Sequence, residues 1–278
     1  MDEDENINIK DVEETNDTNK DERRGEKRII DKAQLLKRTQ SEIDNRIPRA
    51  STDLITPLPI SFSEAGENLE GLLKKNKEWA NAITAQVPGF FANHAKGQKP
   101  KIVWFGCSDS RVPAETIVQL GPGEIFVHRN IANQFNHTDL NSLSVLQYAV
   151  DHLKVEHIIV CGHTGCGGVL ASLSNGQHGL VDHWLRNIKD VYYANKPKID
   201  MLSEEDRVNE LVKFNVVQQV YNISATNIVQ NVWEHGGKLE VHGWVYDLGT
   251  GLIEDLQINL KNAKDLRDQI FKVQYEQT

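Results

Sequence analysis

The distribution of apolar and polar positions along the chain predicts one folded domain behind a polar leader. Residues 1–50 contain almost no clusters of aromatic or branched apolar side chains, whereas residues 100–260 are rich in Val, Ile and Leu. The leader changes from acidic to basic along its length and is followed by an extended segment with two prolines. Such a segment has little surface to bury. We therefore expect residues 1–62 to be a disordered charged arm and linker, and residues 63–278 to form one domain.

Three short apolar runs, each bounded by polar residues, predict buried β-strands. They cover residues 101–106, 124–128 and 157–161. Two further runs, 239–246 and 252–258, are separated by a Gly-Thr-Gly turn and predict a β-hairpin. Because strands alternate with helical segments, we expect an α/β fold with a mostly parallel central β-sheet, an antiparallel edge strand and flanking helices.

Helical periodicity is clearest in three segments. From residue 63 onward, apolar side chains recur on one face of a predicted helix, namely Leu69, Leu72, Leu73, Trp79 and Ile83. Residues 140–153 have the same periodicity. Ser203, with acidic residues directly behind it, is the predicted N-cap of a long helix that runs to about Trp233.

Composition and charge narrow the classes of function. The formal net charge is −9, which disfavours binding to nucleic acid because that requires a basic face. No apolar run approaches the roughly 20 residues of a membrane span, so we expect no membrane segment. The chain begins Met-Asp-Glu-Asp-Glu with no apolar stretch behind it, which argues against a secretory signal. Three cysteines fit a reduced setting with metal-binding or catalytic thiols, and we expect a cytoplasmic protein.

Candidate chemical groups follow the first and third predicted strands. The motif CSDSR occupies residues 107–111, and GHTGCGG occupies residues 162–168. Ligands of open α/β sheets bind outside the carboxyl ends of the strands, so these two loops should meet over one crevice. Cys107, His163 and Cys166 then form a Cys2His set, which in zinc enzymes leaves a fourth position for water. The spacing differs from that of a zinc finger, which uses two close pairs of ligands.

The remaining cysteine and six of the histidines do not lie in a loop with other candidate ligands. Cys161 lies inside an apolar strand, so we expect it to be a small buried packing residue. Six further histidines are interpreted as surface or packing residues, namely His128, His137, His152, His157, His235 and His242.

Together, these motifs resemble those of the β-class carbonic anhydrases in order and spacing. Besides the two loops above, the matching segments are PGEIF at 122–126, HRNIAN at 128–133 and VHGWVYD at 241–247. The resemblance extends from about Leu69 to Leu260 and is to the bacterial-type or related fungal enzymes, here with an N-terminal extension. It implies that residues 63–278 form a catalytic domain of that fold. Gly165 departs from the Asp, Ser or Ala of many relatives, at a position that is not a ligand.

The resemblance implies a cofactor and a reaction. One zinc ion per subunit would be held by Cys107, His163 and Cys166, and the enzyme, a lyase, would reversibly hydrate carbon dioxide to bicarbonate and a proton through zinc-bound hydroxide. Zinc lowers the pKa of bound water to about 7, which supplies hydroxide at cellular pH. Asp109 and Arg111 are the predicted catalytic residues. Asp109 either takes the fourth zinc position and closes the site, or pairs with Arg111 and leaves that position open.

The resemblance also implies a substrate pocket and an oligomer. The pocket walls come in part from a partner subunit, and the residues are Gln98, Phe126, Tyr148 and Gly168. In the family, the helix that contains Leu69 packs on the partner. We therefore expect a homodimer or a dimer of dimers, with carbon dioxide and bicarbonate as the small-molecule partners.

A second bicarbonate site, outside the zinc site, is implied by the same resemblance. Its residues match the regulatory residues of the bacterial-type subgroup and are Trp104, Arg129 and Tyr246. An indole N–H, a guanidinium and a phenol are all donors to an oxyanion. Bicarbonate bound there would favour the closed state, in which Asp109 replaces the zinc-bound water.

Two alternatives from other classes remain open. One is a non-catalytic zinc or interaction module that keeps the fold without turnover. It predicts the loss of Asp109, Arg111 or a ligand, all of which are present. The other is a hydrolase of carbon disulfide or carbonyl sulfide, which would use the same ligands. Measuring carbon dioxide hydration and sulfide release on one preparation distinguishes these reactions.

Overall fold

A computed structural model describes residues 61, 63, 64, 66 and 69–266. The predicted arm and linker, residues 1–62, lies almost wholly outside the described residues and stays a prediction. The chain divides into two units at Glu78, and the sheet lies entirely in the second, Trp79–Thr278.

The described residues form one five-stranded sheet in the order β2-β1-β3-β4-β5. The strands are β1 (Ile102–Cys107), β2 (Ile125–Asn130), β3 (His157–His163), β4 (Glu240–Tyr246) and β5 (Ile253–Leu260). The first four are parallel, and β5 pairs antiparallel with β4 at one edge. β1 and β3 are buried along nearly their whole length, as expected for central parallel strands covered on both faces. The predicted sheet is confirmed.

The described residues also form α-helices, and several of these were not predicted. They are α1 (Leu69–Gln86), α2 (Phe90–His94), α3 (Ala114–Ile117), α4 (Leu140–Gln147), α5 (Gly167–Ser172), α6 (Val181–Ile199), α7 (Glu204–Ser224) and α8 (Asn227–Glu234). The helix expected over 140–153 is an α-helix only as far as Gln147 and continues as a π-helical turn, Tyr148–Leu153. Helices α2, α3, α5 and α6 were missed, the first three because they are at most six residues long.

The prediction of one helix from Ser203 to Trp233 is wrong in its second half. Ser203 caps α7 as expected, since its hydroxyl accepts a hydrogen bond from the Asp206 N–H. The helix ends at Ser224, and Thr226 starts α8. The Thr226 hydroxyl accepts from the Val229 N–H at 3.3 Å and donates to the Ile223 carbonyl at 2.7 Å. A buried cap therefore divides the predicted helix in two.

The main core lies between one face of the sheet and the helices that pack on it. Phe105 and Val160, from β1 and β3, are fully buried together with Leu211 and Val220 from α7. Helix α7 crosses β3 and β4 where each strand has a glycine. A Cβ at Gly162 would lie 2.7 Å from a methyl carbon of Val216, so only glycine permits this close approach.

The apolar face predicted for the first helix is largely exposed. The Leu69 and Leu73 side chains are 75% and 72% exposed, whereas Ile83 is buried. Over the part of the chain that the structure describes, no helix combines the length and apolar character that crossing a membrane requires.

Replacing Thr226 tests the cap that separates α7 from α8. Thr226→Ala removes both the methyl group and the hydroxyl, whereas Thr226→Ser removes only the methyl group. The difference between the two variants therefore isolates the hydroxyl, which we expect to stabilise the protein by about 1 kcal/mol. Urea unfolding at matched chain concentration measures it, and equal midpoints for the two variants would show that the cap contributes nothing.

Candidate metal centre

Two parallel strands bring the first two candidate ligands together. β1 ends at Cys107 and β3 ends at His163, and the register pairs Gly106 with Cys161. Cys166 follows three residues after His163 and immediately precedes α5. The Sγ atoms of Cys107 and Cys166 lie 4.0 Å apart, and the ligand atoms of all three side chains lie within 4.8 Å of one another. All three side chains are buried.

The His163 ring is oriented to offer a lone pair to this cluster. Its Nδ1 lies 2.9 Å from the Thr164 carbonyl oxygen, which can only accept, so Nδ1 carries the proton. Its Nε2 is buried without a hydrogen-bond partner. An unpartnered basic nitrogen beside two sulfurs is a costly arrangement unless a cation binds there. Two thiolates and one imidazole match the donor set of zinc.

Electrostatics within the cluster favour one thiolate. The pKa of Cys107 is lowered to about 4, first because the Cys166 thiol donates a hydrogen bond to it, an effect that outweighs burial. The pKa of Cys166 is raised, because its thiol is the donor in that hydrogen bond and because it is buried. Burial opposes the charged form of His163, but the neighbouring Cys107 raises the pKa of that imidazole. A divalent cation would permit the second thiol to ionise as well.

Asp109 is paired with Arg111 and lies beside the cluster. The Arg111 side chain donates to both carboxylate oxygens, from Nε at 2.9 Å and from Nη2 at 2.6 Å. The pKa of Asp109 is held well below its usual range, first by these hydrogen bonds. Its Oδ2 nevertheless lies only 3.8 Å from the His163 Nε2. The structure therefore has the carboxylate in the paired arrangement, next to the candidate metal position.

A hydrogen-bond network that the sequence analysis missed holds the backbone at Ala132, next to the Cys107 sulfur. The Ala132 N–H donates to the Cys107 sulfur at 3.4 Å, and Ala132 has a left-handed backbone with φ of 60°. Asn215 on α7 donates to the Ala132 carbonyl at 2.9 Å, and Gln219 donates to the Asn215 side-chain oxygen at 2.9 Å. Gln219 also accepts from the Phe135 N–H. Two amides four residues apart on a buried helix face were the available signal.

The predicted pocket residues fall into separate groups. The rings of Phe126 and Tyr148 lie 5.8 Å apart, and Tyr148 begins the π-helical turn, a rare feature that often marks functional sites. Gly168 packs against the loop before α4, where a Cβ would lie 2.8 Å from a methyl carbon of Ile131. Gln98 is exposed in the segment that precedes β1.

The three predicted regulatory residues lie on three strands: Trp104 within β1, Arg129 near the end of β2 and Tyr246 at the end of β4. Trp104 is buried on the second face of the sheet, in a small cluster against which Tyr246 packs. The Trp104 indole nitrogen would lie 2.6 Å from a Cβ at Gly106, the residue that pairs with Arg129. Arg129 donates to the carbonyl oxygens of Cys107 and Asp109. Its guanidinium therefore holds the backbone of the ligand loop.

Two of the histidines interpreted as surface or packing residues contact each other. His157 Nδ1 and His242 Nε2 lie 3.1 Å apart, on β3 and β4. Cys161, by contrast, is a buried thiol as expected, and burial raises its pKa to about 12.

Comparisons with known proteins identify relatives of this chain. The sequence profile of the carbonic anhydrase family matches residues 102–253. A carbonic anhydrase of Emericella nidulans is 46% identical over 189 residues, which are 68% of this chain and 83% of that protein. The Coccomyxa β-carbonic anhydrase in complex with acetazolamide is 39% identical over 72% of this chain and 93% of that chain, with a TM-score of 0.70. A tetrameric β-carbonic anhydrase of Sordaria macrospora is 42% identical over 69% of this chain and 98% of that chain, with a TM-score of 0.66.

The Asn215 contact predicts a specific destabilisation. Asn215→Leu preserves the approximate size of the side chain but leaves the buried Ala132 carbonyl without its donor, which should cost about 1–3 kcal/mol. Gln218→Leu, on the same helix, is the control, since Gln218 is half-buried and donates to a side chain, that of Asn222, rather than to a buried carbonyl. Urea unfolding measures both variants. Equal stability of the two would contradict a special role for the Asn215 amide.

Proposed function

This chain belongs to the β class of the carbonic anhydrase family, and on that premise we propose that it hydrates carbon dioxide with a zinc ion held by Cys107, His163 and Cys166. The observation that carries the proposal is the buried, unpartnered His163 Nε2 beside two thiols. Zinc in a Cys2His site lowers the pKa of a coordinated water toward about 7 and so supplies a nucleophile at cellular pH.

Asp109 and Arg111 control access to the zinc position in this proposal. A bidentate arginine–carboxylate pair is strong and directional, so Arg111 holds the Asp109 carboxylate in one orientation. The 3.8 Å between Asp109 Oδ2 and His163 Nε2 supports the idea that a released carboxylate reaches the zinc position. Arg111 thus keeps the position available to water, and Arg129 fixes the backbone of the same loop.

We propose that Gln98, Phe126, Tyr148 and Gly168 bind substrate, with a partner subunit completing the pocket. Tyr148 is 45% exposed beside Phe126, which supports a pocket wall that one chain leaves incomplete. The exposed leucines of α1 support a homo-oligomer, as does the tetrameric assembly of the Sordaria relative. Sedimentation at micromolar concentration tests this proposal, and a fully active monomer would overturn it.

We also propose an N-terminal arm, a cytoplasmic location and a regulatory site. Residues 1–62 are proposed as an arm and 63–278 as the catalytic domain, working in the cytoplasm with three unpaired thiols. We also propose that bicarbonate binds near Trp104, Arg129 and Tyr246, two of which share one apolar cluster. Trp104→Phe should weaken inhibition by bicarbonate at fixed pH, and unchanged inhibition would remove this site.

Replacing one ligand should remove metal and activity together. Cys166→Ser offers zinc a hydroxyl, a poor ligand at neutral pH, so both zinc content and the stopped-flow hydration rate should fall close to zero. Cys161→Ala is the matched control, because it removes a buried thiol of the same chain that lies outside the cluster. We expect about one zinc per chain in the wild type and in the control. Full zinc retention in Cys166→Ser would disprove the ligand assignment.

Replacing Arg111 should separate activity from metal content. Arg111→Lys keeps the positive charge but loses the fork that holds both carboxylate oxygens, so the hydration rate should fall about 100-fold with zinc retained. Arg186→Lys, on the exposed surface of α6, is the control. A wild-type rate in Arg111→Lys would show that the bidentate pair is not needed.

A further inference from the structure

A second group of metal-binding side chains lies at the opposite ends of the strands. His157 is the first residue of β3, and Glu240 is the first residue of β4. These two residues pair in the parallel register, and His242 follows Glu240 on the same face of β4. His163 lies six residues further along β3, so about 20 Å of strand separates this group from the Cys107 cluster.

The ligand atoms of this group already lie at distances suited to one ion. His157 Nδ1 is 3.1 Å from His242 Nε2, and Glu240 Oε2 is 3.9 Å from the same Nε2. Tetrahedral zinc with Zn–N distances of about 2.0–2.1 Å separates its ligand atoms by about 3.3 Å. All three ligand atoms lie within 4.8 Å of one another, which is close enough for a single ion to draw them together.

We propose that His157, Glu240 and His242 form a second metal site, which takes a borderline divalent cation such as Zn²⁺, Co²⁺ or Ni²⁺. Two imidazoles and one carboxylate are the ligands that such cations prefer. Because the ligands come from two adjacent strands, a bound ion would tie the start of β3 to the start of β4. The site is independent of the proposed catalytic zinc and shares no residue with it.

The surroundings of His242 and Glu240 fit a site that an ion can enter and leave. Burial, followed by the neighbouring His157, lowers the pKa of His242 to about 4, so this ring is uncharged at neutral pH. The His242 side chain retains 17% of its exposure and that of Glu240 retains 31%, which leaves a route for an ion. The Asn259 amide donates to Glu240 Oε2 at 3.0 Å and orients the carboxylate, as outer residues do in metal sites.

Lys261 competes for the same carboxylate. Its ammonium nitrogen lies 3.2 Å from Glu240 Oε2, and its side chain is 54% exposed. A cation that binds Glu240 must displace this ammonium group, which can move into solvent. The arrangement makes a directional prediction: removing the Lys261 charge should tighten metal binding, whereas removing a ligand should weaken it.

Cobalt titration of the full-length chain, prepared with one zinc per chain and without a histidine tag, tests the site. Co²⁺ bound by His157, Glu240 and His242 should give visible d–d bands without a thiolate-to-cobalt charge-transfer band. Charge transfer would report exchange at the cysteines instead. Zinc content of the same samples, and Ni²⁺ binding by calorimetry, provide readouts that do not depend on activity.

Variants decide whether these side chains bind the ion. His157→Ala and His242→Gln should each weaken Co²⁺ binding at least about 100-fold, since changes outside the ligands alone cost 10- to 100-fold. His178→Ala, an exposed loop histidine, should bind as the wild type does. Lys261→Met should bind several-fold more tightly. Circular dichroism and retained zinc establish that each variant is folded.

Either of two results would overturn the proposal. In the first, the wild-type protein shows no d–d bands up to millimolar Co²⁺, or shows them only together with the thiolate charge-transfer band. The other is unchanged affinity in both His157→Ala and His242→Gln, which would assign the bound cobalt to other side chains, including the acidic residues of the arm.

Discussion

Parallel pairing between β1 and β3 brings Cys107 and His163 to adjacent strand ends, and the arrangement of the candidate metal centre depends on that pairing. Side chains alternate between the faces of a sheet, so a register shift of one residue would turn the ligands apart. The register is fixed by apolar side chains buried on both faces, together with the glycine at 162 that admits α7. Core packing and site geometry therefore rest on the same contacts.

The Cys107, His163 and Cys166 side chains are buried, so any charge on them must be compensated by nearby groups. Two sulfurs and an imidazole nitrogen lie inside the protein, where an uncompensated charge costs many kcal/mol. The chain supplies directed groups around them: the Ala132 N–H on Cys107, the Thr164 carbonyl on His163, and Arg129 on the loop carbonyls. These contacts orient the ligand atoms before any cation binds. Such pre-orientation suits a site that must keep one coordination position for water.

The sequence predicted the parallel strands well because each of them is a short apolar run bounded by polar residues. β1, β2 and β3 begin and end within two residues of the predicted ranges. Helix α6 was missed although Leu185, Ile188 and Val191 form a buried apolar stripe at helical spacing. Thr226 was overlooked as a cap although both partners of its hydroxyl, the Ile223 carbonyl and the Val229 N–H, are only three residues away.

Contacts between residues that are far apart in the sequence could not be predicted from the sequence. Asn215 and Ala132 are 83 residues apart, and His157 and His242 are 85 residues apart. The resemblance to β-class carbonic anhydrases supplied the ligand set, but only the register of β3 and β4 brings the two histidines together. A polar residue on a helix or strand has no visible partner until the tertiary fold is known.

Zinc K-edge X-ray absorption of the purified protein, at one zinc per chain, tests the central claim most directly. We expect a first coordination shell with two sulfur atoms at about 2.3 Å and a histidine nitrogen at about 2.0–2.1 Å. A shell made only of nitrogen and oxygen would contradict it, because the zinc would then lie away from Cys107 and Cys166.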